Sequence, residues 1–173
     1  HYTAVADESP VPILLYNFPA NTGVNLTPEI VGRMAEHRNV VGMKETSTDG
    51  AQFAEVSAAV PERFTLLAGS APGFYPALCA GAKGAIVAVA CLLPEICLEL
   101  LELTRAGRHA EALALQQRLT PLARAVTSGF GIAGLKAAMD LSGYEGGDPR
   151  PPLGPLAGDA VETIRALLHA VRS

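Results

Sequence analysis

Val40-Val41-Gly42-Met43-Lys44-Glu45-Thr46 is a short apolar run that ends in a charge. Its first residues are apolar or small, the pattern of a strand buried on both faces. A lysine rarely ends such a strand, because desolvating an ammonium is costly. The same cost frees an amine lone pair, and a neutral amine attacks a ketone to form a Schiff base. A lysine that snorkels out to water fits the stretch equally well when it is taken alone.

The flanking sequence supplies the context. Upstream, Val11-Pro12-Ile13-Leu14-Leu15-Tyr16 is a second β-rich apolar run with proline at its start. Asn17 to Asn25 carries Pro19, Asn21 and Gly23 and reads as a loop. Thr27-Pro28-Glu29 then opens a helix that runs to about His37. Downstream, Asp49-Gly50 opens a helix ending near Val60-Pro61, Phe64 to Ala68 is a third strand, Gly73 to Cys79 a short helix, and Gly84 to Ala88 a fourth strand. Strands that alternate with helices pair in parallel. Four such units are half of a (β/α)8 TIM barrel, which as a whole takes ~250 residues. A doubly wound sheet is the other home for such units, but it usually has more strands.

After Leu92 the pattern turns helical. Helices are predicted over 93–106, over 109–127 with a bend at Pro121, over 131–142, and over 159–171 with Asp159 as its cap. A Gly- and Pro-rich loop, 143–158, precedes the last. The predicted organisation is therefore a half barrel over 1–92 and a C-terminal helical region over 93–173.

The chain has 173 residues, 49 % hydrophobic and 17 % charged, with net charge −4. That composition describes a folded domain. The absence of a basic tract argues against nucleic acid as a partner. Apolar runs are short and interrupted, so no membrane span is expected. Cys79, Cys91 and Cys97 make no CxxC pair, which suits a reducing compartment and buried thiols. The histidines show no metal-ligand spacing. The sequence opens without methionine, inside what reads as a helix, and is expected to continue a longer protein.

In a parallel barrel the strand C-termini share one rim, where active sites form. The rim here receives Tyr16, Lys44 and Gly69-Ser70. Lys83 precedes its strand and so falls at the opposite rim, and Lys136 lies in a later helix. Position alone therefore selects Lys44. Tyr16, from the neighbouring strand, can relay a proton to or from a carbinolamine oxygen. A core tyrosine with a satisfied hydroxyl is the plainer reading of that residue. Glu45 points away from Lys44 by strand alternation, which suits a supporting or structural part. Asp49 reads as a helix cap.

Leu15-Tyr16-Asn17-Phe18-Pro19-Ala20-Asn21-Thr22-Gly23 resembles the YNxPxxTG signature of the dihydrodipicolinate synthase/N-acetylneuraminate lyase family. Val41-Gly42-Met43-Lys44-Glu45 resembles that family's G-[IM]-K-[ED] Schiff-base strand. Leu67-Ala68-Gly69-Ser70, Gly81-Ala82-Lys83-Gly84-Ala85-Ile86 and Arg150-Pro151-Pro152-Leu153 are similar to its later motifs, in order. The resemblance runs through the whole chain and corresponds to strands five to eight of the family barrel. It implies class I aldolase or lyase chemistry on pyruvate-derived 2-oxo acids, with no cofactor. Lys44 would form the imine and Tyr16 would handle protons. Gly69 and Ile86 would line the pyruvate pocket, with Ser70 beside them. The family's G-[ST]-T-G-E loop and first four strands have no counterpart here, so this chain by itself is expected to be inactive.

The substrate expectation rests on Asn21 and Thr46. Dihydrodipicolinate synthases usually place an arginine where Asn21 stands, to hold the second substrate's carboxylate. The form found here resembles 4-hydroxy-2-oxoglutarate aldolases, in which a hydroxyl follows the lysine by two residues, as Thr46 does. A loop hydrogen bond to backbone is the plainer role for Thr46. The resemblance thus implies cleavage of 4-hydroxy-2-oxoglutarate to pyruvate and glyoxylate. The alternatives are condensation of pyruvate with aspartate semialdehyde (4-hydroxy-tetrahydrodipicolinate synthase) and a non-catalytic half barrel that assembles with partners. Self-association, commonly as a tetramer in this family, and a cytoplasmic location are expected, or a mitochondrial one if a transit peptide preceded His1.

Overall fold

The computed structural model describes residues 1–173, which divide into two compact units, His1–Ile86 and Val87–Ser173. The first contains α1 (Tyr2–Glu8), β1 (Ile13–Asn17), α2 (Pro19–Thr22), α3 (Pro28–Ala35), β2 (Val40–Glu45), α4 (Gly50–Ala59), β3 (Thr65–Ala68), α5 (Phe74–Cys79) and β4 (Gly84–Ala85). The strands lie side by side in chain order, β1-β2-β3-β4, and every pair is parallel. This is the arc of a TIM barrel that the alternation of strands and helices predicts.

Strand alternation gives the sheet two unlike faces. Leu15, Met43, Leu66 and Ala68 are buried on one, together with Val31, Ala35, Phe53, Val56 and Phe74 from the helices. The other face is open. Leu14 is 45 % exposed, Tyr16 49 % and Ile86 47 %. Gly42 sits on this open face because a side chain there has no room. Its Cβ would lie 2.6 Å from Leu14 Cδ2 and would collide with the Thr65 carbonyl oxygen.

Some elements depart from expectation. Helix α2 occupies the predicted loop, opened by Pro19 and closed by Gly23 at φ 69°, whose N–H donates to Pro19 O at 2.9 Å. Strand β4 shrinks to two residues, because β3, its one partner, ends at Ala68.

The second unit holds α6 (Pro94–Arg105), α7 (His109–Arg124), α8 (Gly131–Leu141) and α9 (Gly158–Arg172), packed on Leu100, Leu119, Leu122, Ala138, Ile164 and Leu168. Pro121 lies inside α7, which continues past it and then widens into a π-helical turn, Ala125–Gly129. There the Phe130 N–H reaches Ala125 O at 2.7 Å. Asp159 is not the cap of α9. It lies in the first turn, where its charge still favours the helix N-terminus, and Ala157 holds the cap position without a side-chain bond. No helix is long and apolar enough to cross a membrane.

The expectation of buried thiols holds for one cysteine only. Cys97 is buried, whereas Cys79 and Cys91 are exposed. Burial, with Glu95 adding its charge, pushes the Cys97 thiol up to about 11. The folded chain therefore holds that proton more tightly than the unfolded chain, whose thiol titrates near 9.0. The resulting stabilisation is complete below about pH 9 and is lost as pH rises toward 11. Unfolding midpoints measured from pH 8 to 11 should fall less steeply in Cys97→Ala than in the native chain. A thiol reagent at neutral pH should label Cys79 and Cys91 and spare Cys97.

Candidate active site

The register of β1 on β2 pairs Tyr16 with Lys44 and Asn17 with Glu45. Because successive residues point to opposite faces, Tyr16 and Lys44 stand on the open face and Asn17 and Glu45 on the helix-covered one. Lys44 Nζ lies over the Tyr16 ring, 4.1 Å from its centroid. This is cation–π geometry. Phe18 stacks beside Tyr16, centroids 5.8 Å apart and 25° between planes. The sequence placed amine and phenol on adjacent strand ends. What the structure adds is that the contact runs through the ring face, since level Cα positions set the four-carbon lysine stem beside the ring. Lys44 is partly exposed on this open face.

Backbone bonds carry the ladder past the strand ends. Thr46 N–H donates to Asn17 O at 3.0 Å, Gly69 N–H to Glu45 O at 2.6 Å, and Ile86 N–H to Ala68 O at 2.9 Å. Thr46, Gly69 and Ile86 thus follow at the rim, just beyond the strand ends. Thr46 and Gly69 touch. A Cβ on Gly69 would collide with Thr46 Oγ1 and lie 2.9 Å from Glu45 O. Thr46 Oγ1 is buried and has no hydrogen-bond partner, so its hydroxyl is turned away from solvent. Ser70 and Asn21 lie elsewhere. Ser70 lines a cavity of about 80 Å³ with Glu45, Ser47, Phe53 and Pro76. Asn21 is exposed on α2.

Glu45, expected in a supporting part, is the centre of a network behind Tyr16 and Lys44 whose other members sequence reasoning missed. Glu45, 1 % exposed, accepts from Asn17 Nδ2 at 2.9 Å, Gln52 Nε2 at 3.1 Å and Ser47 N–H at 2.7 Å. Asn17 Oδ1 accepts from Leu26 N–H at 3.0 Å, and Asn17 Nδ2 also donates to Asn25 Oδ1 at 2.8 Å. The available signal was two polar residues, Asn17 and Glu45, on an otherwise apolar face. Asp49 caps α4 as expected, its Oδ1 accepting from Ala51 N–H at 2.9 Å and Gln52 N–H at 3.1 Å. Asp49→Ala should lower stability by about 1 kcal/mol, read as a shift in the urea midpoint.

A model of the dihydrodipicolinate synthetase family matches residues 1–171. The chain belongs to that family. Among its relatives, the 4-hydroxy-tetrahydrodipicolinate synthase of Archaeoglobus fulgidus is 36 % identical over 171 residues, covering 99 % of this chain and 59 % of that protein. The Exiguobacterium enzyme of the same name is 38 % identical over 160 residues, covering 92 % of this chain and 55 % of its own length. The chain thus spans somewhat more than half the length of the curated relatives it matches. Solved structures agree. The 4-hydroxy-tetrahydrodipicolinate synthase of Methylacidiphilum fumariolicum superposes with TM-score 0.91 at 31 % identity, over 99 % of this chain and 58 % of that one. A prophage protein of the same family from E. coli, solved in complex with pyruvate, gives TM-score 0.89 at 30 % identity, over 99 % and 59 %. The family's solved members include a monomeric dihydrodipicolinate synthase variant, with TM-score 0.91 at 30 % identity over 98 % and 58 %.

Proposed function

We propose that this chain carries the imine-forming side of a pyruvate-dependent carbon–carbon lyase or synthase, with Lys44 as nucleophile and Tyr16 as proton relay. The observation that carries the reading is the Tyr16–Lys44 pairing on the open face, amine over ring. The amine adds to the ketone carbon of pyruvate, and the carbinolamine loses water to leave an imine. Protonated, that imine draws electrons from the adjacent methyl carbon. Loss of a methyl proton gives an enamine, which adds to an aldehyde; the reverse sequence breaks the same bond. Gly69 and Ile86 would bound the pyruvate site at the rim beside the lysine.

The relatives' names favour condensation with aspartate semialdehyde, the 4-hydroxy-tetrahydrodipicolinate synthase reaction. This reverses the order of preference drawn from the sequence, which placed cleavage of 4-hydroxy-2-oxoglutarate first. Asn21 offers no positive charge for the second carboxylate of either substrate, and the cavity of about 340 Å³ lined by Phe18, Pro19, Ala20 and Thr46 has Asp49 as its charged wall, so these residues favour neither reading over the other. In a whole protein containing this chain, turnover of the two substrates compared side by side decides between them. Self-association and a cytoplasmic setting belong to the same proposal.

The test of the common step is trapping. In a whole protein containing this chain, incubation with pyruvate and borohydride should attach one reduced pyruvate, mapped by peptide mass to Lys44. An adduct on Lys83 or Lys136 instead, or no adduct, rejects the assignment.

A further inference from the structure

Asn17, Glu45 and Gln116 are the buried polar side chains of this protein, and the first two belong to one network directly behind Tyr16 and Lys44. No cation pairs with Glu45; its carboxylate is held by N–H donors alone. Burying a carboxylate in this way is costly unless every oxygen is satisfied. Here each bond ties down a segment of the site. Asn17 follows Tyr16 in β1. Ser47 belongs to the turn that carries Thr46. Gln52 lies in α4 and exchanges bonds with Asn25, 2.6 Å from Asn25 Nδ2 to Gln52 Oε1 and 3.1 Å from Gln52 Nε2 to Asn25 Oδ1.

We infer that Glu45 is a positioning residue, whose buried carboxylate sets the Lys44 amine against the Tyr16 ring by locking the Asn17–Glu45 rung behind them. The inference rests on the imine reading of Lys44 for its chemical consequence, and on geometry alone for its structural one. The charge matters because all three groups facing Glu45 are donors. In Glu45→Gln the new NH2 must face either the Ser47 N–H or the two side-chain amides, so at least one donor meets a donor. Transposing the charge repairs this. In the double variant Asn17→Asp/Glu45→Gln, the introduced carboxylate accepts from the introduced amide, from Leu26 N–H and from a flipped Asn25. A flipped Gln52 accepts from the introduced amide and from Asn25, and donates back to Asn25. Every bond of the network is rebuilt with its direction reversed or kept.

Two readouts test this, the first on the chain and the second on a whole protein containing it. The first is the ring-current displacement of the Lys44 ε-methylene protons by Tyr16, measured by NMR. The second is the initial rate of pyruvate trapping on Lys44. Glu45→Gln should lose the ring-current displacement and trap about 100-fold more slowly, the scale of a misplacement of roughly 1 Å. The double variant should recover both. Gln52→Leu, which removes one donor and leaves the other two, should lose a few-fold in rate (about threefold) and serves if Glu45→Gln does not fold. A purely structural role would lower the unfolding midpoint and leave the ring-current displacement in place. That result, or a double variant no better than Glu45→Gln, overturns the inference. If the native whole protein traps no pyruvate, the imine reading falls, and the ring-current comparison still decides whether Glu45 positions the pair.

Discussion

Lys44→Met should abolish pyruvate trapping while leaving the fold intact. The other lysines of the chain are engaged elsewhere. Lys83 Nζ donates to Glu62 O at 2.5 Å and Lys136 Nζ to Gly146 O at 2.5 Å. Lys44 is the lysine whose amine lies over a ring face, on the same rim as Tyr16, Gly69 and Ile86. A methionine keeps most of the stem's packing and removes the nucleophile. The expected effect is thus lopsided. Stability should move by no more than about 0.5 kcal/mol. Adduct formation should fall to background, and turnover of a whole protein carrying the change should drop by on the order of 10⁴-fold. Intact mass after borohydride reads the loss of adduct, and a urea titration reads the stability. An adduct of native size in Lys44→Met would end the proposed chemistry.

Gly69→Ala should be the most damaging small substitution at the rim. The added Cβ meets Thr46 Oγ1 head-on, with Glu45 O at 2.9 Å and Thr46 Cβ at 3.0 Å. The backbone contact is anchored. Glu45 O accepts the Gly69 N–H at 2.6 Å, so the strands cannot part without giving up that bond. Overpacking against backbone of this kind costs about 1–3 kcal/mol. Thr46→Ala in the same chain removes the worst contact but not the backbone one, so it should restore part of the loss. By itself Thr46→Ala should be close to neutral, since the hydroxyl it deletes is buried without a partner. Urea midpoints of the two single variants and the double variant close the cycle. Additive midpoints would mean that Thr46 and Gly69 do not press on each other.

How far the sequence reached follows from how local each signal was. The strands were legible because apolar runs between turn residues need no distant information, and parallel pairing then placed Tyr16 and Lys44 on one rim. Asp49 was legible as a cap because its partners are two and three residues away. Helix α2 was hidden because a proline and a glycine that usually mark a loop here open and close a single turn. Asp159 misled because an acid one residue inside a helix has the same composition signal as a cap. The exposure of Cys79 and Cys91 depends on which helix faces turn outward. The Glu45 network was out of reach for a clearer reason. It joins Asn17, Asn25, Glu45 and Gln52, pairs up to 28 residues apart, through side-chain amides whose orientation only the folded chain fixes.

The uncovered side of the sheet, where Tyr16 stands half in solvent, has a kinetic consequence. An imine bathed in bulk water is a short-lived species, because hydrolysis reverses its formation as readily as loading proceeds. On the proposed chemistry, any adduct formed at Lys44 with this face uncovered should therefore exchange its pyruvate with the medium many times before an enamine can meet an aldehyde. Whatever roofs that surface in a working enzyme would act first as a seal, lengthening the lifetime of the adduct.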